Sequence, residues 1–289
     1  MEQYYWDGKI DYLSNTRGLY YNDDYIEFLV RTVWKIERPV RIIDFGCGYG
    51  FLGLKLLPFL PQGSTYTGID AGVQLIERAR KVYKDLPYEA EFIAADIWDA
   101  NIERKYDMAV CHAFLLHISD PIEMLKKMLN CVTDRGKIAC FEPHWISAMA
   151  NQHLHEIRQS QIIQLGLLQK LFEDDALRTG KDGNIGMKLP IYLTKLGVKN
   201  VECRVSDKVN FLNPYSKTNL FESLREDGVG AHPGEREPFI RNLVDRGVSE
   251  EEARQQYENE LLFSITFDND SWFTCASNMK ITFGTVMRG

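Results

Sequence analysis

The chain has 289 residues, 45% of them hydrophobic and 26% charged, with a net charge of −7. That is enough apolar residue for a large buried core, and the acidic balance argues against a nucleic-acid partner, whose phosphates need clustered Lys and Arg. The first residues, MEQYYWDGKIDY, lack a basic stretch leading into an apolar one, and the most apolar windows, FLGLKLLPFL and IIQLGLLQKLF, are too short to span a bilayer, so a cytoplasmic protein with no membrane partner is expected.

Residues 1 to 36 hold six tyrosines and two tryptophans. Within them Asp23 to Trp34 has helical spacing, with Ile26, Leu29, Val30 and Val33 on one face. From Pro39 onward, strands and helices alternate. Val40 to Phe45 reads as a buried strand, followed by glycines at 46, 48 and 50 and a helix from Phe51 to Leu60. Thr65 to Ile69, ending in Asp70, Ala90 to Ala95, ending in Asp96, and Tyr106 to Cys111 read as the next three strands. Val73 to Asp85 is a helix with Leu75, Ile76, Ala79 and Val82 inward. Asp120 as N-cap, Pro121 at the first helical position and Glu123 at the third open a further helix, running to Cys131. A fifth strand follows, Lys137 to Glu142. This alternation predicts an α/β fold: a doubly wound, mostly parallel sheet with helices on both faces.

After residue 146 the pattern changes. Ile146 to Phe172 reads as mostly helical and Val201 to Val205, with Val209 and Phe211, as a strand. Residues 212 to 246 are rich in Pro, Gly and charge and read as an insertion. Ser249 with Glu252 is a capping box opening a helix to about Leu262. Trp272 to Val286 reads as a final strand. The expected organisation is an N-terminal aromatic segment (1–38), a cofactor-binding core (39–145) and a C-terminal part (146–289). That last part completes the sheet and carries a cap at about 206–265. The six cysteines are scattered without a CxxC pair and read as free thiols. His153 and His155, two apart, would diverge on a helix, so no metal site is expected there.

The strand ends carry acids. Asp44 precedes the glycine loop, Asp70 ends the second strand and Asp96 the third. Ligands of open α/β sheets bind at the carboxyl ends of the strands. Carboxylates there suit a ligand with an amino group, a ribose diol and an exocyclic amine, since they accept hydrogen bonds. Cys47, between two glycines, reads as a small filler and not as a nucleophile.

This pattern resembles the class I S-adenosylmethionine-dependent methyltransferases over about residues 38 to 145. The motif carrying it is Ile42-Ile43-Asp44-Phe45-Gly46-Cys47-Gly48-Tyr49-Gly50. It is supported by Cys111-His112-Ala113-Phe114-Leu115-Leu116-His117 after the fourth strand and by Asp120-Pro121. The resemblance implies a Rossmann-like, seven-stranded sheet and S-adenosyl-L-methionine as cofactor. Asp44, Phe45, Gly46, Cys47, Gly48 and Gly50 would form the loop against its methionine portion. Asp70 and Ala71 would meet the ribose, and Asp96, Ile97 and Trp98 the adenine. His112, Ala113 and Phe114 would complete the pocket, with Arg17 pairing with the cofactor carboxylate. The aromatic segment before the motif would act as a lid.

A base is needed only if the methyl acceptor arrives protonated. His112, His117 and His144 are the candidates, although His117 reads first as a local packing or capping residue before the helix at Pro121. No Asp/Asn-Pro-Pro-aromatic segment follows the fourth strand and no Pro-Cys pair occurs, which disfavours the DNA-methylating types. A small-molecule acceptor is therefore expected, with protein or RNA as runner-up. Gly183 to Pro190, then Leu196 to Val198, is similar to the region before the last strands of small-molecule methyltransferases. Two rivals remain. Gly48-Tyr49-Gly50-Phe51-Leu52-Gly53 also fits the dinucleotide fingerprint, with Asp70 about 20 residues on, so an NAD(P)-dependent oxidoreductase is one. A cofactor-binding protein without catalysis is the other.

Overall fold

A computed structural model describes residues 4–215 and 218–288. Residues 1–3 of the N-terminal segment, 216–217 of the expected cap and 289 lie outside the described residues. The strands are β1 (Arg41–Phe45), β2 (Thr65–Asp70), β3 (Glu89–Ala94), β4 (Tyr106–His112), β5 (Val132–Glu142), β6 (Gln152–Leu154), β7 (Lys199–Val205), β8 (Asn210–Leu212), β9 (Phe273–Cys275) and β10 (Lys280–Thr285). The helices are α1 (Ile10–Thr16), α2 (Asp23–Phe28), α3 (Phe51–Leu56), α4 (Val73–Tyr83), α5 (Pro121–Asn130), α6 (Trp145–Ala150), α7 (Leu165–Thr179), α8 (Leu189–Lys195), α9 (Leu220–Glu226), α10 (Arg236–Asp245) and α11 (Glu250–Thr266).

Seven strands form the main sheet in the order β3-β2-β1-β4-β5-β10-β7. β10 is antiparallel to both its neighbours, and the pairings among β1 to β5 are parallel. Strand alternation splits the core over the two faces: Ile42 packs with Tyr66, Leu52 and Phe141 on one side, Ile43 with Phe45, Ile69 and Leu125 on the other. The chain leaves β1 toward β2 and β3, then returns across it to β4. That reversal places a crevice at the carboxyl end of β1, beside the glycine loop.

The helix that Asp120 was expected to cap does begin there: its carboxylate accepts from the Glu123 amide at 3.1 Å, with Pro121 at the first turn. The Ser249–Glu252 capping box opens α11 as read. Two elements read as single strands are each broken. Val201 to Phe211 is split into β7 and β8, and Trp272 to Val286 into β9 and β10. β7 and β10 leave the main sheet together and re-pair as β8 and β9, which join β6 in a second, three-stranded sheet. The kink has two causes. Asn278 takes a left-handed conformation, φ +50°, which Asn tolerates better than most residues. The Ser206 hydroxyl accepts from the Met279 amide at 3.0 Å, bonding side chain to ladder where the strands bend. Ile146 to Phe172 is not continuously helical either, because Gln152–Leu154 is drawn out as a strand against β9. His153 therefore lies on a strand. Among the described residues no cluster of three or more His, Cys, Asp or Glu is placed to hold a metal, and all six cysteines are free thiols.

Candidate active site

The glycine loop leaves β1 with its amides already engaged. Gly46 N and Cys47 N donate to the Ile69 carbonyl at 2.9 and 3.1 Å, and Gly50 N donates to Cys47 O at 2.8 Å. Gly48 N donates to Asp70 Oδ2 at 2.9 Å, and Asp70 Oδ1 accepts from Gly72 N at 2.8 Å. Asp70 thus ties the loop to the end of β2. A phosphate would find these amides occupied, whereas the remaining lone pairs of the carboxylate stay free for hydroxyl donors. Gly46 has φ +68°, and a Cβ there would lie 2.2 Å from the Phe114 ring. Glycine is required for Phe114 to close over the loop. At Gly48 a Cβ would meet only Leu13, at 3.9 Å. The absent side chain leaves backbone facing open space.

That space is a chamber of about 710 Å³, lined by the loop, by Asp44, Asp70, Ala71 and Asp96, and by Ile97 and Trp98. His112, Ala113 and Phe114 close it from β4. Tyr4, Tyr5, Trp6, Leu13 and Arg17 cover it from the N-terminal segment. The segment is anchored by Asp7, whose Oδ1 accepts from the amides of Gln74 and Leu75 at 3.0 and 3.1 Å. It thereby caps α4, whose own N-cap is a glycine without a side chain.

Three expected site residues fall elsewhere. Phe45 points into the core on the far face of the sheet. Gly50 does not line the chamber; its φ of +86° turns the chain into α3, and a Cβ there would lie 2.7 Å from Tyr83. His144 lies outside both this chamber and the one described next, and caps α6 by accepting from Ser147 N at 3.2 Å.

A second chamber of about 520 Å³ adjoins the first, with Trp6, Arg17, Ala113, His117 and Trp145 lining both. Its walls come from the region after β5 (Met149, Ile162, Leu168, Phe172) and from the C-terminal part (Val229, Phe263). His117, which the sequence reads first as a packing or capping residue, packs and also lines the site: its ring lies 4.9 Å from that of Trp6 and borders each chamber. Burial, helped by Lys181 and Arg17, lowers its pKa to about 4, so the imidazole is neutral and a weaker base than a free histidine. His112 is buried among aromatic rings, its Nε2 unpartnered and its pKa held well below 6.5 by desolvation.

The junction is held from below by Glu142, which the strand and motif pattern did not single out. It ends β5 as Asp44, Asp70 and Asp96 end or follow their strands, and the same pattern of strand-end acids would have found it. Wholly buried, it accepts from the amides of Phe114, Leu115 and Leu116 at 3.0, 2.9 and 3.3 Å. Above it Ala113 sits at φ +46°, a strained conformation for alanine that its surroundings must enforce. Asp7 and Asp227 were also missed, and no local signal marks them. Their partners lie 67 and 207 positions away.

Burial raises three of these carboxyls: Asp44 to about 8, Glu142 to about 7 and Asp227 to about 6. Tyr66 donates to Asp44 Oδ2 and opposes part of the rise, while Asp44 Oδ1 is buried without a partner. In the unfolded chain all three titrate near pH 4. A raised folded pKa contributes stability that is complete below pH 4 and is lost as pH rises through the folded values. The unliganded protein should therefore lose about 2 kcal/mol or more of stability between pH 5 and 8, a tenfold change in proton affinity being about 1.4 kcal/mol. Thermal denaturation across that range checks it: the midpoint falls with pH, and Asp44→Asn flattens the fall above pH 7.

Residues 36–176 match a family model described as a methyltransferase domain. The malonyl-[acyl-carrier protein] O-methyltransferase of Anoxybacillus flavithermus is 26% identical over 145 residues, covering 50% of this chain and 51% of that protein. The trans-aconitate 2-methyltransferase of Pseudomonas aeruginosa is 30% identical over 110 residues, 38% of each chain. The chain thus spans about half or less of the length of these curated relatives. Among solved structures, a phosphoethanolamine N-methyltransferase of Haemonchus contortus, in complex with S-adenosylhomocysteine, superposes with TM-score 0.51 at 13% identity, covering 98% of this chain and 58% of that one. At that identity the likeness is one of fold. No helix among the described residues is long and apolar enough to cross a membrane.

Proposed function

We propose that this chain, whose residues 36–176 are a methyltransferase domain of the S-adenosylmethionine-dependent class, transfers a methyl group to a small-molecule acceptor held in the second chamber. The observation that carries this reading is the pair of adjoining chambers, sharing Trp6, Arg17, Ala113, His117 and Trp145.

S-adenosylmethionine fits the first chamber. Asp44 Oδ1 is buried without a hydrogen-bond partner, and the open face of Gly48 admits a ligand where any side chain would stand. The amides that would cradle a pyrophosphate are engaged within the protein, which counts against a dinucleotide. When bound, S-adenosylmethionine supplies a methyl group already activated on a sulfonium. The chain's own tasks are alignment and exclusion of water, and alignment alone is worth about 7–11 kcal/mol in favourable cases. Asp70 and Asp96 would orient the nucleoside, and Phe114 and the Trp6 segment would cover it. Neutral His117 would accept a hydrogen bond from an acceptor that arrives protonated and hold it in line.

A small molecule suits the second chamber because its volume, about 520 Å³, lies in the range of small-ligand pockets. The net charge of −7 does not favour RNA. Calorimetry with S-adenosylmethionine, S-adenosylhomocysteine and NAD(H) tests the cofactor. The first two should bind and NAD(H) should not; binding of NAD(H) alone would refute the proposal.

A further inference from the structure

One end of the second chamber is anionic and incompletely bonded. Gln256 and Glu260 stand one turn apart on α11, and Gln256 Nε2 donates to Glu260 Oε1 at 2.6 Å. Gln256 is only 2% exposed, and its Oε1, in a chamber-lining side chain, has no partner among the described residues. Glu260 is half-buried with its pKa raised by desolvation; the hydrogen bond from Gln256 opposes the rise, and no cation among the described residues offsets it. The chamber's other carboxylate differs. Asp227 accepts from Tyr20 and Tyr12 at 2.8 and 3.5 Å, and Arg17 lies over the Tyr20 ring and lowers the Asp227 pKa. Tyr20, Tyr12 and Arg17 thus face Asp227, whereas Glu260 has only Gln256 beside it.

We infer that the acceptor is an apolar molecule bearing a protonated amine, which donates to Glu260 and to Gln256 Oε1 while its apolar body lies on Ile162, Leu168 and Phe172. This rests on the methyltransferase reading for the acceptor's role, but not for the chamber's preference. An ammonium meets both needs of the site at once, since it brings a positive charge to the carboxylate and a donor to the orphaned carbonyl. Gln256 and Glu260 line only the second chamber. The amine is therefore an anchor, and the atom that receives the methyl group is a different one, carried to the junction beside His117.

The test uses three probes of one shape, phenylbutylamine, phenylbutanol and phenylbutyrate. Their affinities for the full chain are measured by calorimetry, with and without S-adenosylhomocysteine. The amine should bind about tenfold or more tighter than the alcohol, with the carboxylate weakest, because a charge-assisted hydrogen bond to a half-buried carboxylate is at stake. Glu260→Gln should erase that preference and leave S-adenosylhomocysteine affinity unchanged. Equal binding of amine and alcohol, absence of amine binding, or a preference that survives Glu260→Gln overturns the inference. An intact amine preference in a protein that does not bind S-adenosylhomocysteine upholds the anchor and overturns the methyltransferase reading instead.

Discussion

Asp70→Ala will weaken S-adenosylmethionine binding by about 100-fold or more, since hydrogen bonds to a charged group are worth about 1.5–3 kcal/mol each and two to a ribose diol would be lost. The loss will exceed that of a simple contact residue, because Asp70 has two roles. Its oxygens accept from Gly48 and Gly72, so removing them frees two amides at the mouth of the chamber and loosens the glycine loop. Asp70→Asn separates the roles. The amide retains one oxygen for a backbone donor but places an N–H toward the other, so the loop stays partly tied while the charge is gone. Calorimetry on both variants, with circular dichroism to confirm folding, reads the difference. Wild-type affinity in Asp70→Ala would remove this residue from the cofactor site.

Glu142→Ala will destabilise the protein by about 3–5 kcal/mol and suppress methyl transfer. Three backbone amides, those of Phe114, Leu115 and Leu116, lose their acceptor, and each buried unsatisfied donor costs about 1–3 kcal/mol. The strained Ala113 loses the grip that holds it, and with it go Phe114 over the glycine loop and His117 at the junction. Glu142→Gln retains an acceptor for the Phe114 and Leu115 amides, so it should recover most of the stability. Denaturant unfolding of the two variants checks this. Equal stability of Glu142→Ala and the parent would show that the loop is held by something else. Glu142 is a positioning residue: its signature is recovery by Gln of both stability and cofactor affinity.

Much of this molecule could be read from its residues in order. The parallel strands β1 to β4, the helix capped by Asp120 and the capping box of α11 are local matters of apolar runs, caps and turns, and each lies within a residue or two of its expected place, apart from the earlier start of β5 at Val132. The strand-end acids were legible for the same reason. A parallel sheet puts the carboxyl ends of its strands on one edge, so Asp44, Asp70 and Asp96 converge without further information. Where residues 201–211 and 272–286 were read as single strands, apolar residues recur on both sides of the break. The break came from a left-handed Asn278 and a ladder that moves from one sheet to another, and neither alters the periodicity.

By itself, then, the sequence determined the α/β core, the glycine loop and the acids that line the first chamber, because these depend on backbone conformation and on strand ends that topology brings together. Only the tertiary structure decided what lies across from them. His117 became a junction residue and His144 a helix cap, Glu142 became the support beneath Ala113, and Gln256 with Glu260 became the far end of a second chamber. The physical reason is distance along the chain. The residues that wall this chamber run from Trp6 to Met279, and an unpaired carbonyl or an uncompensated carboxylate is defined by neighbours that no local pattern records.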